Sequence, residues 1–243
     1  MKQILLFLIT IISLNLNAQK IYAWWDAGAK VGYGLGGFYN ANLTKDDNYS
    51  YRLNSGYGLG AKFGMYFGLN NGITFDFMYS KYKQDFDYAI PGNSENLHTI
   101  KWNNYDLALL YRHQANGAYV ELGPMYSLVN SVNNSDNNDG GDDKDVSKFY
   151  NENYFSGVFG AGGYIAGSDR FTLMMGLRLG YALTDFVSEE GKTNNYPTPK
   201  QTALTAKEST TNPAFVQLVI EGNFALGYYG KASCQKRATL FSF

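Results

Sequence analysis

Between Tyr57 and Leu69 the apolar residues fall on every second position: Tyr57, Leu59, Ala61, Phe63, Met65, Phe67 and Leu69, with Gly58, Gly60, Lys62, Gly64 and Gly68 between them. That is the period of a strand, whose successive side chains point to opposite faces, and not of a helix. After Asn70-Asn71-Gly72, where the Asn-Gly pair tolerates the positive φ of a tight hairpin, the alternation resumes as Ile73, Phe75, Phe77 and Tyr79 against Thr74, Asp76, Met78 and Ser80. One face is large and apolar, the other small or polar. A tilted strand of ~9–11 residues with an apolar outer and a small or polar inner face is what crosses a bilayer in a closed barrel. The apolar face therefore reads as facing lipid.

The same pattern recurs along the chain. Ala27 to about Asn40 places Val31, Tyr33, Leu35 and Tyr39 outward and Lys30, Gly32, Gly34, Gly36 and Phe38 inward. Tyr105 to Arg112 and Tyr119 to Leu128 form a fourth and a fifth strand. Pro124 sits on the outer face of the fifth, where its missing N–H predicts a bulge or a break. Tyr154–Ala166, Phe171–Thr184 and Ala214–Leu226 complete a set of eight. Connections after strands two, four and six are tight. Those after one, three, five and seven are long and polar: Ala41–Ser55, Gln84–Lys101, Asn130–Asn153 and Asp185–Asn212. Short periplasmic turns, long external loops and an even strand number are the layout of an outer-membrane barrel. The expected fold is all-β, a transmembrane antiparallel up-and-down barrel of eight strands, with Trp24, Trp25 and Trp102 in interfacial girdles.

The amino terminus sets the compartment. Lys2, the apolar run Ile4–Leu16 and Asn17-Ala18-Gln19 read as a signal peptide cut after Ala18. This divides the chain into a leader 1–18, a barrel 19–228 and a tail 229–243 expected on the periplasmic side, and places the product in the cell outer membrane. Small barrels usually close on a terminal aromatic; here Phe241 and Phe243 are separated from strand eight by Lys231–Arg237, so the tail is expected to dock on a partner or on the barrel mouth. A mean hydropathy of −0.30 excludes a helical membrane protein, and a net charge of −1 offers no basic face for nucleic acid. With Cys234 alone, no disulfide forms within the chain.

Candidate chemistry is sparse. Gly32-Tyr33-Gly34-Leu35-Gly36-Gly37 matches the dinucleotide fingerprint in letters only, because its glycines lie inside a strand and recur at Gly56–Gly60. The acidic run Asn133–Asp145 lacks EF-hand spacing, since Val146 falls where the bidentate Glu belongs; a mobile solvated loop is expected, without a metal. His98 lies near an external loop beside Ser94 and Glu95 and reads as a solvated histidine, not the base of a triad; His113 lies in a periplasmic turn. By parity the inward face collects Lys30, Lys62, Arg112 and Arg178 with Asp76, Asp106, Glu121 and Glu221. An eight-stranded lumen is just wide enough for side chains to fill it, so these charges are expected to pair as a plug.

The Asn-Ala-Gln signal ending, the Gly-Tyr-Gly-Leu-Gly strands, the Asn-Asn-Gly turn and the amphipathic strands over about Ala27–Leu226 resemble the PorT-like barrels of Bacteroidota and, in architecture, the OmpA and OmpX barrels. The resemblance implies a non-enzymatic outer-membrane barrel without cofactors, in contact with outer-membrane lipid and other outer-membrane proteins. Its role would be that of a structural or accessory subunit of an outer-membrane assembly, a secretion-related one included, or of a surface-interaction protein. The alternative class is a narrow pore or an outer-leaflet lipid-modifying enzyme.

Overall fold

The computed structural model describes residues 23–46, 49–90, 93–168, 170–198, 208–231 and 236–239. The leader assigned to residues 1–18, Ser94 and Glu95 as side chains, and Phe241 and Phe243 lie outside this description. The strands are β1 (Ala23–Asn40), β2 (Tyr49–Phe67), β3 (Asn71–Ile90), β4 (Asn93–Ala115), β5 (Ala118–Asp136), β6 (Lys144–Asp145), β7 (Asn153–Gly167), β8 (Phe171–Ala182), β9 (Thr211–Lys231) and β10 (Lys236–Thr239), and α1 is a single helical turn, Glu189–Thr193. Eight of them, β1–β5 and β7–β9, pair antiparallel in chain order, and β9 closes on β1 from Ala23↔Tyr229 to Asn40↔Thr211. A sheet closed in this way has no free edge, as a bilayer demands.

Three short turns and both ends of the barrel chain sit at one end, the periplasmic one in barrels of this type. Asn116-Gly117 joins β4 to β5 with φ of 53° and 80°, a two-residue turn whose hand matches the strand twist. The β2–β3 turn departs from the sequence expectation. Its positive φ, 70°, belongs to Gly68, whereas Asn71 and Gly72 already pair within β3. At Pro124 the β4–β5 ladder is interrupted between Ala108↔Met125 and Tyr111↔Leu122, but the register is unchanged on either side, so there is a break and no bulge.

At the other end the strands run well past the bilayer. β4 spans 23 residues and β3 spans 20, against the ~9–11 that a crossing needs. Most of the stretch expected as a loop, Gln84–Lys101, is therefore a hairpin whose arms pair as far as Ile90↔Asn93, and β2 and β5 likewise extend into the segments expected as loops. The physical cause is an inversion of the pattern. Up to Tyr79 the large apolar residues of β3 face out. Beyond it Lys81, Lys83, Asp85 and Asp87 take the outer row, while Tyr82, Phe86 and Tyr88 turn inward and are buried. Below the inversion the wall meets lipid; above it, water. Tyr57, Tyr105 and Tyr181 stand exposed at this level as the outer girdle, with Tyr79 half-buried beside Tyr105.

The external end is filled. Phe38, Tyr82, Phe86, Ile100, Trp102, Val132 and Tyr154 from the walls meet Leu43, Val146, Tyr150, Phe186, Val187 and Tyr196 from the connections in one buried cluster. Trp102, expected in a girdle, is at its centre, with its ring 5.5 Å from Tyr82 and 5.6 Å from Phe186. Trp24 also faces inward and stacks on Tyr66 at 3.8 Å. The polar segment after β5 is ordered too, with β6 pairing back on Asn133 and Asn134. β10 pairs with Tyr228–Lys231 of β9, so this part of the tail folds on the barrel rim.

Candidate functional site: a closed ring of charges in the lumen

Seven of the eight residues assigned to the lumen by parity come together there. Glu221 of β9 pairs with Lys30 of β1 at 3.2 Å, Lys30 with Asp76 of β3 at 2.6 Å, and Asp76 with Arg178 of β8 at 2.6 Å. Arg178 reaches Glu121 of β5 at 2.5 Å, Glu121 holds Arg112 of β4 at 2.6 Å, and Arg112 returns to Glu221 at 2.5 Å. Six charges of alternating sign thus close a ring, and every member is at most 4% exposed. Lys62 of β2 attaches to it through Glu221 at 3.3 Å and bridges to Asp26 at 3.2 Å.

Such a ring needs both geometry and neutrality. A buried carboxylate or guanidinium is tolerable only when paired and hydrogen-bonded, and here four cations meet four anions. The Arg112 guanidinium donates to both carboxylates and lies 4.3 Å from the centre of the Tyr119 ring, so its planar face is covered as well. Strand β7 contributes space instead of charge. A Cβ on Gly160 would lie 2.8 Å from Glu121 Cγ and from its carboxylate, closer than real contacts allow.

Two assignments change. Asp106 is inward and buried, but it accepts from Ser127 Oγ at 2.6 Å and has no ion pair among the described residues; its register, opposite Met78 and Ser127, sets it on the external side of the ring. Asp26 takes the fourth acidic place. The sequence reading started strand one at Ala27 and so passed over it, although it shares the parity of Lys30.

His98 is not solvated. It is 3% exposed, faces inward on β4, and lies 3.3 Å by Nδ1 from Asp136 Oδ2, which also accepts from Tyr88 at 2.7 Å. This cluster stands above the bilayer. Burial opposes ionisation of Asp136, but hydrogen bonds from His98, Tyr88 and the Asn138 N–H outweigh it and hold the carboxyl at about 2. His113 lies at the turn end, exposed, 2.9 Å from Asn71.

On the periplasmic side of the ring the lumen is open. Cavities of about 440 and 630 Å³ are lined by Trp24, Asp26, Tyr66, Met174 and Asn223. On the external side lie voids of about 10 Å³, one beside Asp76, Asp106 and Arg178 and one beside Trp102 and Tyr154, each with room for about one water. The closed wall, its lipid-facing apolar band and its girdle define a transmembrane β-barrel of outer-membrane type.

No family model and no curated protein matches the sequence. Among solved structures the chain is similar to Neisserial surface protein A, at 13% identity and a TM-score of 0.43, over 82% of this chain and 97% of that one. It is similar to OprG from Pseudomonas aeruginosa at 14% identity and a TM-score of 0.44, over 86% and 97%. With Ail of Yersinia pestis, solved with the heparin analogue sucrose octasulfate, it shares 12% identity at a TM-score of 0.39, over 83% and 99%.

Proposed function

We propose that this protein is a non-conducting, non-enzymatic barrel that serves as a structural or accessory element of the outer membrane and meets its partners through the rigid wall and folded connections above the bilayer. The observation that carries this reading is the filled lumen: a neutral ring of six charges lies beneath an apolar cap. Passage along the axis would require breaking buried ion pairs and repacking aromatic side chains. The extended β3–β4 hairpin, the β5–β7 connection and the described part of the β8–β9 connection supply a surface of fixed shape, which lowers the ordering cost of binding. A PorT-like, secretion-related role is one form of this function, and the supporting features are the sequence resemblances already named.

The test is purification of the full chain from its own membrane in mild detergent, with quantitative identification of what accompanies it. Stoichiometric recovery with other outer-membrane proteins is expected. A lone barrel that releases or transfers acyl groups when mixed with phospholipid vesicles would overturn the reading in favour of an enzyme.

A further inference from the structure

The wall parts at one place. β1 and β2 pair from Ala23↔Phe67 up to Gly36↔Asn54; beyond that, β1 continues to Asn40 in register with β9 alone, and Tyr49–Leu53 pair with β3 alone. The buried side chain of Gln84, from β3, stitches the opening. Its Oε1 accepts from the Phe38 N–H at 3.4 Å, and its Nε2 donates to the Arg52 carbonyl at 3.2 Å. One side-chain amide thus serves both separated strands, where otherwise their backbone groups would be left without ladder partners. Gly37 leaves room for it, since a Cβ there would collide with Gln84 Oε1.

Outside this stitch lies a notch of about 480 Å³, within the ~300–1,000 Å³ typical of ligand sites. Leu35, Leu53, Leu179 and Val216 line its sides, and Phe38 and Phe215 form its floor. No charged side chain among the described residues lines it. We propose that the notch holds one acyl chain of an outer-leaflet lipid.

Position and chemistry select this occupant. Leu35, Leu179 and Val216 belong to the exposed apolar rows of the barrel, and Tyr181 of the girdle follows Leu179 on the same face, so the notch opens where acyl chains meet headgroups. The side that rises above the girdle continues into Thr44 and Leu53; Lys45, next to Thr44, is an exposed cation suited to a phosphate-bearing headgroup, while Arg52, next to Leu53, is held by Asp87. The inference rests on the bilayer placement and not on the interaction role.

Native mass spectrometry of the detergent-purified full chain, under activation that strips annular lipid, tests it. The wild type and a control, Leu122→Trp on the far side of the lipid face, are expected to retain one phospholipid or glycolipid each. Leu53→Trp and Val216→Trp, which fill the notch, are expected to lose that occupancy by roughly tenfold or more. Heat-modifiable migration verifies folding of each variant, and either notch variant alone suffices. Equal retention by a folded notch variant, or an adduct with the mass of a free fatty acid in place of a lipid, overturns the proposal.

Discussion

Arg112 and Glu221 meet across the lumen from β4 and β9, opposite strands of the ring, with Nη1 2.5 Å from Oε1 and Nη2 2.9 Å from Oε2. The two residues are 109 positions apart, and their contact exists only in the closed barrel. Their pairing therefore couples barrel closure to charge neutrality.

Glu221 accepts from three cations, so its neutralisation unbalances the whole ring. Glu221→Gln is expected to cost about 3–5 kcal/mol, the range for leaving a buried charge unpaired. Urea unfolding in lipid vesicles measures it. Pairing the change with Arg112→Met, which removes one of the stranded charges, is expected to recover part of the loss, and strict additivity of the two changes would contradict the coupling.

Gly160→Val places a branched side chain where Glu121 lies. Overpacking of this kind costs about 1–3 kcal/mol. The same change at Gly157, where an added Cβ meets nothing within 4 Å, is expected to cost less; equal losses in the same unfolding measurement would remove the argument from space.

Trp102→Ala opens the external cap, at about 3–5 kcal/mol for a buried tryptophan. The loss is local to the part above the bilayer. Limited proteolysis of protein in vesicles should cut the β5–β7 and β8–β9 connections faster while the membrane band stays protected.

The Asp136 carboxyl is held at about 2, below its ordinary value near 3.8. A depressed carboxyl adds stability that is present above the ordinary value and is lost as pH falls through the depressed one. Loosening of the external hairpins is therefore expected between about pH 4 and 2, followed by hydrogen exchange at β4 and β5 amides. Asp136→Asn should flatten this dependence.

The barrel was legible because lipid-facing rows are long and uniform: Phe63, Met65, Phe67 and Ile73, Phe75, Phe77 assign one face of each strand to lipid. The ring was legible by parity, which assigns a face. Depth was not, because it depends on cross-strand register; Asp106 shares a face with Arg112 yet lies opposite Met78 and Ser127 and makes no ion pair among the described residues. The external half escaped for a different reason. Around Tyr82–Tyr88 the strand period persists but the apolar residues change sides, so a search for outward apolar rows reads the segment as a polar loop. Tyr150, Phe186 and Tyr196 belong to the cap only through long-range packing of irregular connections, which leave no period to read.

The most direct test of the closed lumen is single-channel recording of the folded wild type in a planar bilayer, with insertion verified by heat-modifiable migration. The ring and its cap predict no stepwise conductance across the accessible voltage range. Stable open-channel steps from correctly inserted wild-type protein would contradict it.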